Sequence, residues 1–423
     1  MDHIETSPMS VGTLIIGAGQ AGLQLAVTLR ELGETAPVTV VGGESRPPYQ
    51  RPPLSKAFLS GKAEEHELAL RGADYYAAND ITLICGEWVE TIELDDDAAG
   101  SGEAVTRSGR TLAFDRLAFT VGGTPRRMRV HGAELAGIHY LRTLDDAVAL
   151  KGSLDDASRA VVVGGGFVGL EIAAAATASG KDVTVLEAQD RLMARAVAPE
   201  MSRFYADAHQ RRGTHIVLDA AVSGFRGTDR VSGVELADGR VIEADVVIVG
   251  IGLIAHAELA ASVGLASDRG IDVDAVGRTR IPGIVAAGDC AVTSHPVHGP
   301  IRLESVPNAI AQAKAAAAAL MGLEPDATAV PWFWSDQADL KLQMAGLTMG
   351  HDHVVVRGDP DSEHFSALYY RDGELVSIES VNSPRDYMAA RRILEAGGNI
   401  PPEAAGDTDI PLKTHLARMH LTR

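Results

Sequence analysis

Residues 11 to 30, VGTLIIGAGQAGLQLAVTLR, run from an apolar strand through glycines into an apolar-rich helix, and residues 158 to 177, SRAVVVGGGFVGLEIAAAAT, repeat that design. Each is followed by a second apolar strand, VTVVGGE at 38–44 and VTVLEA at 183–188, so each opens a βαβ unit. Two further strand-then-glycine stretches, FDRLAFTVGGTPRR at 114–127 and ADVVIVGIGL at 244–253, flank the second unit, and TRIPGIVAAGDCA at 279–291 takes up the first again. After Gly322 the character changes. PWFWSDQ at 331–337 gathers two of the three tryptophans, and the strand-like runs LKLQMAGL, HVVVRG and SALYYRDGELVSIESV precede a helical segment, RDYMAARRILEAG. The pattern predicts an α/β protein with two Rossmann-like dinucleotide-binding domains, the second inserted in the first, plus a C-terminal α+β domain. The expected boundaries are 1–120 and 251–328 for the first domain, 121–250 for the second and 329–423 for the third.

Gly17, Gly19 and Gly22 form one GxGxxG, and Gly164, Gly166 and Gly169 form another. With 44 glycines in the chain a lone match carries little weight. Two in strand-to-helix context, each with an acid near the end of the next strand, carry much more. The glycines permit a tight turn and close backbone approach, while the helix N-terminus offers free N–H groups to a pyrophosphate. Glu44 and Glu187, 27 and 23 residues after the first glycine of their motifs, are the candidate acceptors for adenosine ribose hydroxyls. A carboxylate at Glu187 repels a 2′-phosphate and favours NADH, although Arg191, four residues on, keeps NADPH open. Asp289 follows a strand and a glycine, placed either to hold a ribityl hydroxyl or to cap the helix behind it.

A length of 423 residues is too much for one core. The formal net charge of -19 argues against nucleic acid and anionic membranes as partners. No stretch reaches the length of a membrane span, and the opening MDHIETSPMSVG resembles no targeting peptide. Two cysteines, Cys85 and Cys290, fit a reducing compartment and form no CxxC pair, so the expected location is cytoplasmic and both read as packing residues. The histidines show no HExxH and the cysteines no zinc spacing, so no metal is expected.

With these stretches assembled, the chain resembles the FAD-dependent, NADH-oxidising ferredoxin reductases of the oxygenase-coupled type. This is the putidaredoxin reductase-like branch of the pyridine nucleotide-disulfide oxidoreductases, which lacks the redox disulfide. The matching stretches are the first glycine motif, RPPLSK at 51–56, the glycines at 121–123, YLRT at 140–143, GGGFVGLE at 164–171, AAGDC at 286–290, ESVPNAIAQA at 304–313 and PWFWSDQ. The resemblance implies FAD on the first unit and NADH on the second. It sets Lys56 at the edge of the flavin, paired with Glu171 where the nicotinamide arrives, and Arg51 nearby. Pro52 and Pro53 then fix the backbone so that both cations meet an anionic cofactor at low entropic cost. By the same resemblance Ala21, Val89, Arg142, Asp289 and Val306 match flavin-contacting positions, and Trp332 and Trp334 lie where the third domain closes over the ring. One departure stands out: several relatives carry an acid directly after VVG, where this chain has Gly43 before Glu44.

The reaction so implied is hydride transfer from NADH to FAD followed by single-electron transfers to a small iron–sulfur ferredoxin, expected to be of the two-iron type, that supplies a cytochrome P450 or ring-hydroxylating oxygenase. Lys56 and Glu171 act electrostatically, with no acid, base or nucleophile required. The alternatives are a rubredoxin reductase, or a redox-switch flavoprotein resembling apoptosis-inducing factor. Because ferredoxins are acidic and so is this chain, a basic patch is expected, with Arg302, Arg385, Arg391 and Arg392 as its candidates.

Overall fold

The computed structural model describes residues 10–95, 100–325 and 330–416. The first nine residues of the opening segment and the boundary expected at 328–329 lie outside the described residues. The described chain divides into two compact units. One runs up to Gln50 and takes in Leu68–Thr124 and the chain from Ile254; the other takes Arg51–Glu67, Pro125–Leu253 and the chain from Val330.

The first unit is built on a five-stranded parallel sheet in the order Ile284–Ala286, Arg116–Phe119, Thr13–Ile16, Val38–Gly42, Ile81–Cys85. Its central strand, Thr13–Ile16, is buried throughout, which is why Leu14, Ile15 and Ile16 follow one another without polar alternation. One face packs against the helices Gln20–Glu31 and Val306–Leu320. The alanine-rich sequence of the second helix has a reason here: Ala309, Ala313, Ala316 and Ala317 are buried, and side chains this small let two helices approach closely. A three-stranded antiparallel sheet, Val89–Leu94, Gly102–Thr106 and Thr111–Phe114, contributes to the core on the other face.

The second unit repeats the parallel design, in the order His215–Val217, Asp182–Leu186, Arg159–Val163, Val246–Val249, Ile138–His139. It also contains a five-stranded antiparallel sheet, ordered Trp332–Gln337, Leu340–Gly346, Glu374–Val381, His364–Arg371, His353–Asp359, and the helix Pro384–Glu395. The run SALYYRDGELVSIESV splits into a hairpin at Asp372 and Gly373, whose φ values of 52° and 80° are those a two-residue primed turn demands. The parallel and antiparallel parts share one core: Leu170, Met201, Phe204 and Tyr205 pack with Leu340, Leu342, Phe365 and Val381, and Leu59 joins them.

Among the described residues no helix is long and apolar enough to cross a membrane.

Candidate functional site

Two glycine turns, one in each unit, are built alike. In the first, Gly17 has φ +114°, and a Cβ on it would fall 2.2 Å from the Thr120 carbonyl oxygen; a Cβ on Gly22 would fall 1.9 Å from the oxygen of Gly17. In the second, Gly164 has φ +107° and its Cβ would meet the Gly250 oxygen at 2.4 Å, while one on Gly169 would meet the Gly164 oxygen at 2.2 Å. The first and third glycines of each motif are therefore fixed by packing. The middle ones are not, because a Cβ on Gly19 or Gly166 would touch nothing within 4 Å. Those two residues are the N-caps of the helices Gln20–Glu31 and Phe167–Ala178, and neither helix has a side-chain cap or an acid in its first turn. The helix Leu144–Asp156, by contrast, starts with a full capping box from Thr143 and Asp146. Open space beside uncapped N–H groups fits an extended diphosphate, which is the fit a dinucleotide such as FAD or NADH requires.

Around the first turn, Ala21 is buried in the opening of its helix and a Cβ on Gly288 would approach its methyl at 3.1 Å. Asp289 follows Gly288, and its carbonyl accepts from Arg302 at 3.0 Å. Val306 opens the helix capped by Ser305, which accepts from Asn308 N–H at 3.1 Å. Val89 starts its strand and is buried. The Glu44 carboxylate accepts from the Tyr49 hydroxyl at 2.6 Å.

Around the second turn, Glu187 Oε2 accepts from Gly165 N–H at 2.7 Å and Oε1 from Gln189 N–H at 2.9 Å, so this acid braces the glycine loop. Arg191 donates to the carbonyls of Ala194 at 2.6 Å and Val197 at 2.8 Å and to the Ser202 hydroxyl at 2.8 Å. Its guanidinium is thus bound up in its own loop.

RPPLSK folds as a 3₁₀ turn over Pro52–Ser55, with Arg51 at the N-cap and the prolines at the first two positions, where a missing N–H costs nothing. Arg51 donates to the Arg142 carbonyl at 2.6 Å, which brings those two predicted residues together. The far end of the turn delivers Ser55 and Lys56 to Glu171 in the second glycine helix. Lys56 Nζ lies 2.9 Å from Glu171 Oε1, and the Ser55 hydroxyl donates to Oε2 at 2.6 Å. Glu171 is only 5% exposed.

A further donor was not anticipated. Ser335, in the WFWSDQ strand, donates to Glu171 Oε1 at 2.6 Å and accepts from Gln337 Nε2 at 3.2 Å; Gln337 Oε1 lies 2.8 Å from His209 Nε2. With His209 donating, the row His209, Gln337, Ser335 is polarised head to tail toward the carboxylate. Burial holds the His209 imidazole below its ordinary pKa, favouring the neutral form that one donor requires. Strand alternation supplies the signal that could have revealed this row. Phe333, Ser335 and Gln337 share one face, and Phe333 packs on Phe167 at 4.6 Å between ring centroids; Trp332 and Trp334 share the other. The two indoles stack at 5.7 Å, and the Arg391 guanidinium lies 4.5 Å from the Trp332 ring.

Of the arginines proposed as a patch, Arg391 also pairs with Glu395 at 2.8 Å and Arg302 with Glu304 at 2.9 Å. Both cysteines are free, and burial pushes the Cys290 thiol up to about 11 and raises that of Cys85.

The pyridine nucleotide-disulphide oxidoreductase family model matches residues 12–313, and a reductase C-terminal model matches 332–416. The chain is 46% identical over 409 residues to rhodocoxin reductase of Rhodococcus erythropolis, covering 96% of this chain and 94% of that one. The solved ferredoxin reductase for the CYP199A2 system from Rhodopseudomonas palustris is 39% identical and superposes with a TM-score of 0.91, over 96% of this chain and 99% of that one. The reductase in a covalent putidaredoxin reductase–putidaredoxin complex is 38% identical, also with a TM-score of 0.91, over 96% and 98%.

Proposed function

The chain belongs to the pyridine nucleotide-disulphide oxidoreductase family, and from that premise we propose that it is a ferredoxin reductase, passing electrons from NADH through FAD to a small iron–sulfur ferredoxin. FAD, when bound, supplies the conversion from a hydride donor to a one-electron acceptor. The observation that carries the reading is the pairing of two dinucleotide turns with a cysteine complement that cannot relay electrons. A buried thiol at Cys290 and a separate one at Cys85 offer no disulfide exit, and the 46% identity to a rhodocoxin reductase supports an external carrier as the acceptor.

Gly17, Gly19 and Gly22, with Ala21, Glu44, Val89, Asp289 and Val306, are the residues we assign to FAD in the first unit. Gly164, Gly166, Gly169 and Glu187 are assigned to NADH in the second. Lys56 provides a fixed positive charge for the flavin edge, and Glu171 holds that ammonium in place while Ser55 and Ser335 hold Glu171. Arg51, Arg142 and Trp332 complete the assignment. The Glu187 charge, with Arg191 bound in its own loop, supports NADH over NADPH by tenfold or more in kcat/KM, at about 1.4 kcal/mol per tenfold. The reading extends to a two-iron cluster in the acceptor, to a P450 or ring-hydroxylating oxygenase beyond it, and to a cytoplasmic site of action, where reduced thiols and NADH coexist.

An anaerobic NADH titration followed by absorbance, repeated with NADPH and then with a two-iron ferredoxin added, tests this. Bleaching of bound flavin by NADH and rapid reoxidation by ferredoxin is the expected result. A flavin that NADH reduces but ferredoxin leaves untouched would overturn it in favour of a redox switch.

A further inference from the structure

The strand Val38–Gly42 ends beside the first glycine turn, where a Cβ on Gly42 would fall 2.4 Å from that of Ala18. The end of this second strand is where a dinucleotide fold ordinarily presents the acid that takes the adenosine ribose. Here the first residue past it is Gly43, and there is no room for anything larger. A Cβ at that position would lie 2.3 Å from Cε3 and 2.9 Å from Cζ3 of the Trp88 indole.

The backbone holds Trp88 over this spot. Gly86 N–H donates to the Glu44 carbonyl at 2.8 Å, Glu87 N–H to that of Gly42 at 3.0 Å, and Arg107 N–H to that of Trp88 at 2.8 Å. The imidazole of His256 meets the indole edge-on, with centroids 5.5 Å apart and planes at 82°. Despite these contacts Trp88 is 46% exposed, the most open of the three tryptophans. A large flat apolar surface is therefore fixed in place, half-uncovered, at the adenosine end of a phosphate turn. Its neighbour Glu44 meanwhile shares its carboxylate with the Tyr49 hydroxyl.

We propose that Trp88 is the adenosine platform of the first dinucleotide site, its indole making by stacking or edge contact the recognition that an acid at position 43 would make by hydrogen bonding. This rests on the reading that the first unit holds FAD. An aromatic surface recognises adenine through its π-face and apolar area, so the contact discriminates FAD from FMN, which lacks the adenosine.

The test uses the full-length protein as purified, loaded with its flavin. Dilution series read by released flavin fluorescence give the dissociation constant for FAD, and exchange against excess FMN gives the FAD-to-FMN preference. Trp88→Ala is expected to weaken FAD about tenfold or more and to lower the preference by the same factor, while Trp88→Phe keeps most of both. Gly43→Ala, which forces the indole aside, is expected to act like Trp88→Ala; the pair Trp88→Ala with Gly43→Asp should regain part of the FAD affinity. Unchanged FAD affinity and preference in both Trp88→Ala and Gly43→Ala would overturn the proposal, and so would a parallel loss of FAD and FMN. A wild-type protein that binds no FAD would instead bring down the site assignment itself.

Discussion

Glu171 receives the Lys56 ammonium and the Ser335 hydroxyl on one oxygen and the Ser55 hydroxyl on the other, and each donor comes from a different part of the chain from its own helix. A carboxylate this deeply buried is tolerated only because those donors replace water. Ser335→Ala should therefore cost about 1.5–3 kcal/mol, the range for a hydrogen bond to a charged group, read from urea unfolding. Ser335→Thr, which keeps the hydroxyl, should recover part of it. The sequence made Lys56 and Glu171 legible through their motifs. Ser335 stayed hidden because two tryptophans dominate the reading of WFWSDQ, although alternation alone places the serine opposite them. The joint role proposed for Gly43 and Trp88 had no local signal, since 45 residues separate them and only the fold sets one over the other. A second buried acid gives a prediction of opposite sign to most. Glu379 is fully buried, its carboxyl pushed up to about 8 chiefly by desolvation, with the Tyr369 hydroxyl donating at 2.7 Å. The folded protein keeps that proton up to about pH 8, whereas the unfolded chain releases it near about pH 4.3, so the group lowers stability as pH rises between those values. Glu379→Gln should match wild type at pH 5 and exceed it by about 4 kcal/mol at pH 9 in denaturant unfolding. A constant difference across that range would show that the carboxyl does not titrate there.

The helix Pro199–Arg211 is tied to the antiparallel sheet just past its end. Arg212 donates to Glu363 Oε1 and Oε2 at 2.9 and 2.5 Å and to Asp339 at 2.7 Å, and Arg211 adds a further bond to Glu363 at 2.9 Å. Hydrogen bonding from Arg212 is the largest cause that holds the Glu363 carboxyl down to about 2, and it lowers Asp339 as well. Depressed carboxyl values stabilise above the unfolded pKa, so this contribution is intact above about pH 5 and disappears as pH falls toward 2. Glu363→Gln should cost about 1 kcal/mol at pH 7, after discounting for solvent screening, and nothing at pH 2. Chemical denaturation at the two pH values decides it: an equal loss at both would assign the effect to packing. None of these partners was legible in sequence, because the charges lie in a helix and in turns more than a hundred residues apart. The inner parallel strands were legible, since burial on both faces makes them mostly apolar.

At the scale of the molecule, the same separation of local from long-range signal explains what the chain hides. Repeated glycine turns announce two dinucleotide folds because the turn chemistry is local. That Arg51–Glu67 packs with the second unit follows from tertiary contact alone. The shared core of that unit has a consequence for how it folds. Met201 and Tyr205 are fully buried and Phe204 nearly so, in one cluster with Leu340, Leu342, Phe365 and Val381 of the antiparallel sheet. Fully burying each such large side chain contributes about 1.5–3 kcal/mol, so uncovering three of them removes a large share of a typical domain's stability of about 5–15 kcal/mol. A chain ending at Pro325 should therefore lose fixed packing in its second parallel sheet as well as the missing strands. It should bind an apolar dye and exchange the amides of Arg159–Val163 and Val246–Val249 far faster than the full chain, while those of Thr13–Ile16 in the first unit keep their protection. Hydrogen exchange resolved by segment separates the cases. If the second parallel sheet stays as protected without residues 330–416 as with them, the common core is a contact between independently stable folds, and the two parts of this unit would count as separate domains.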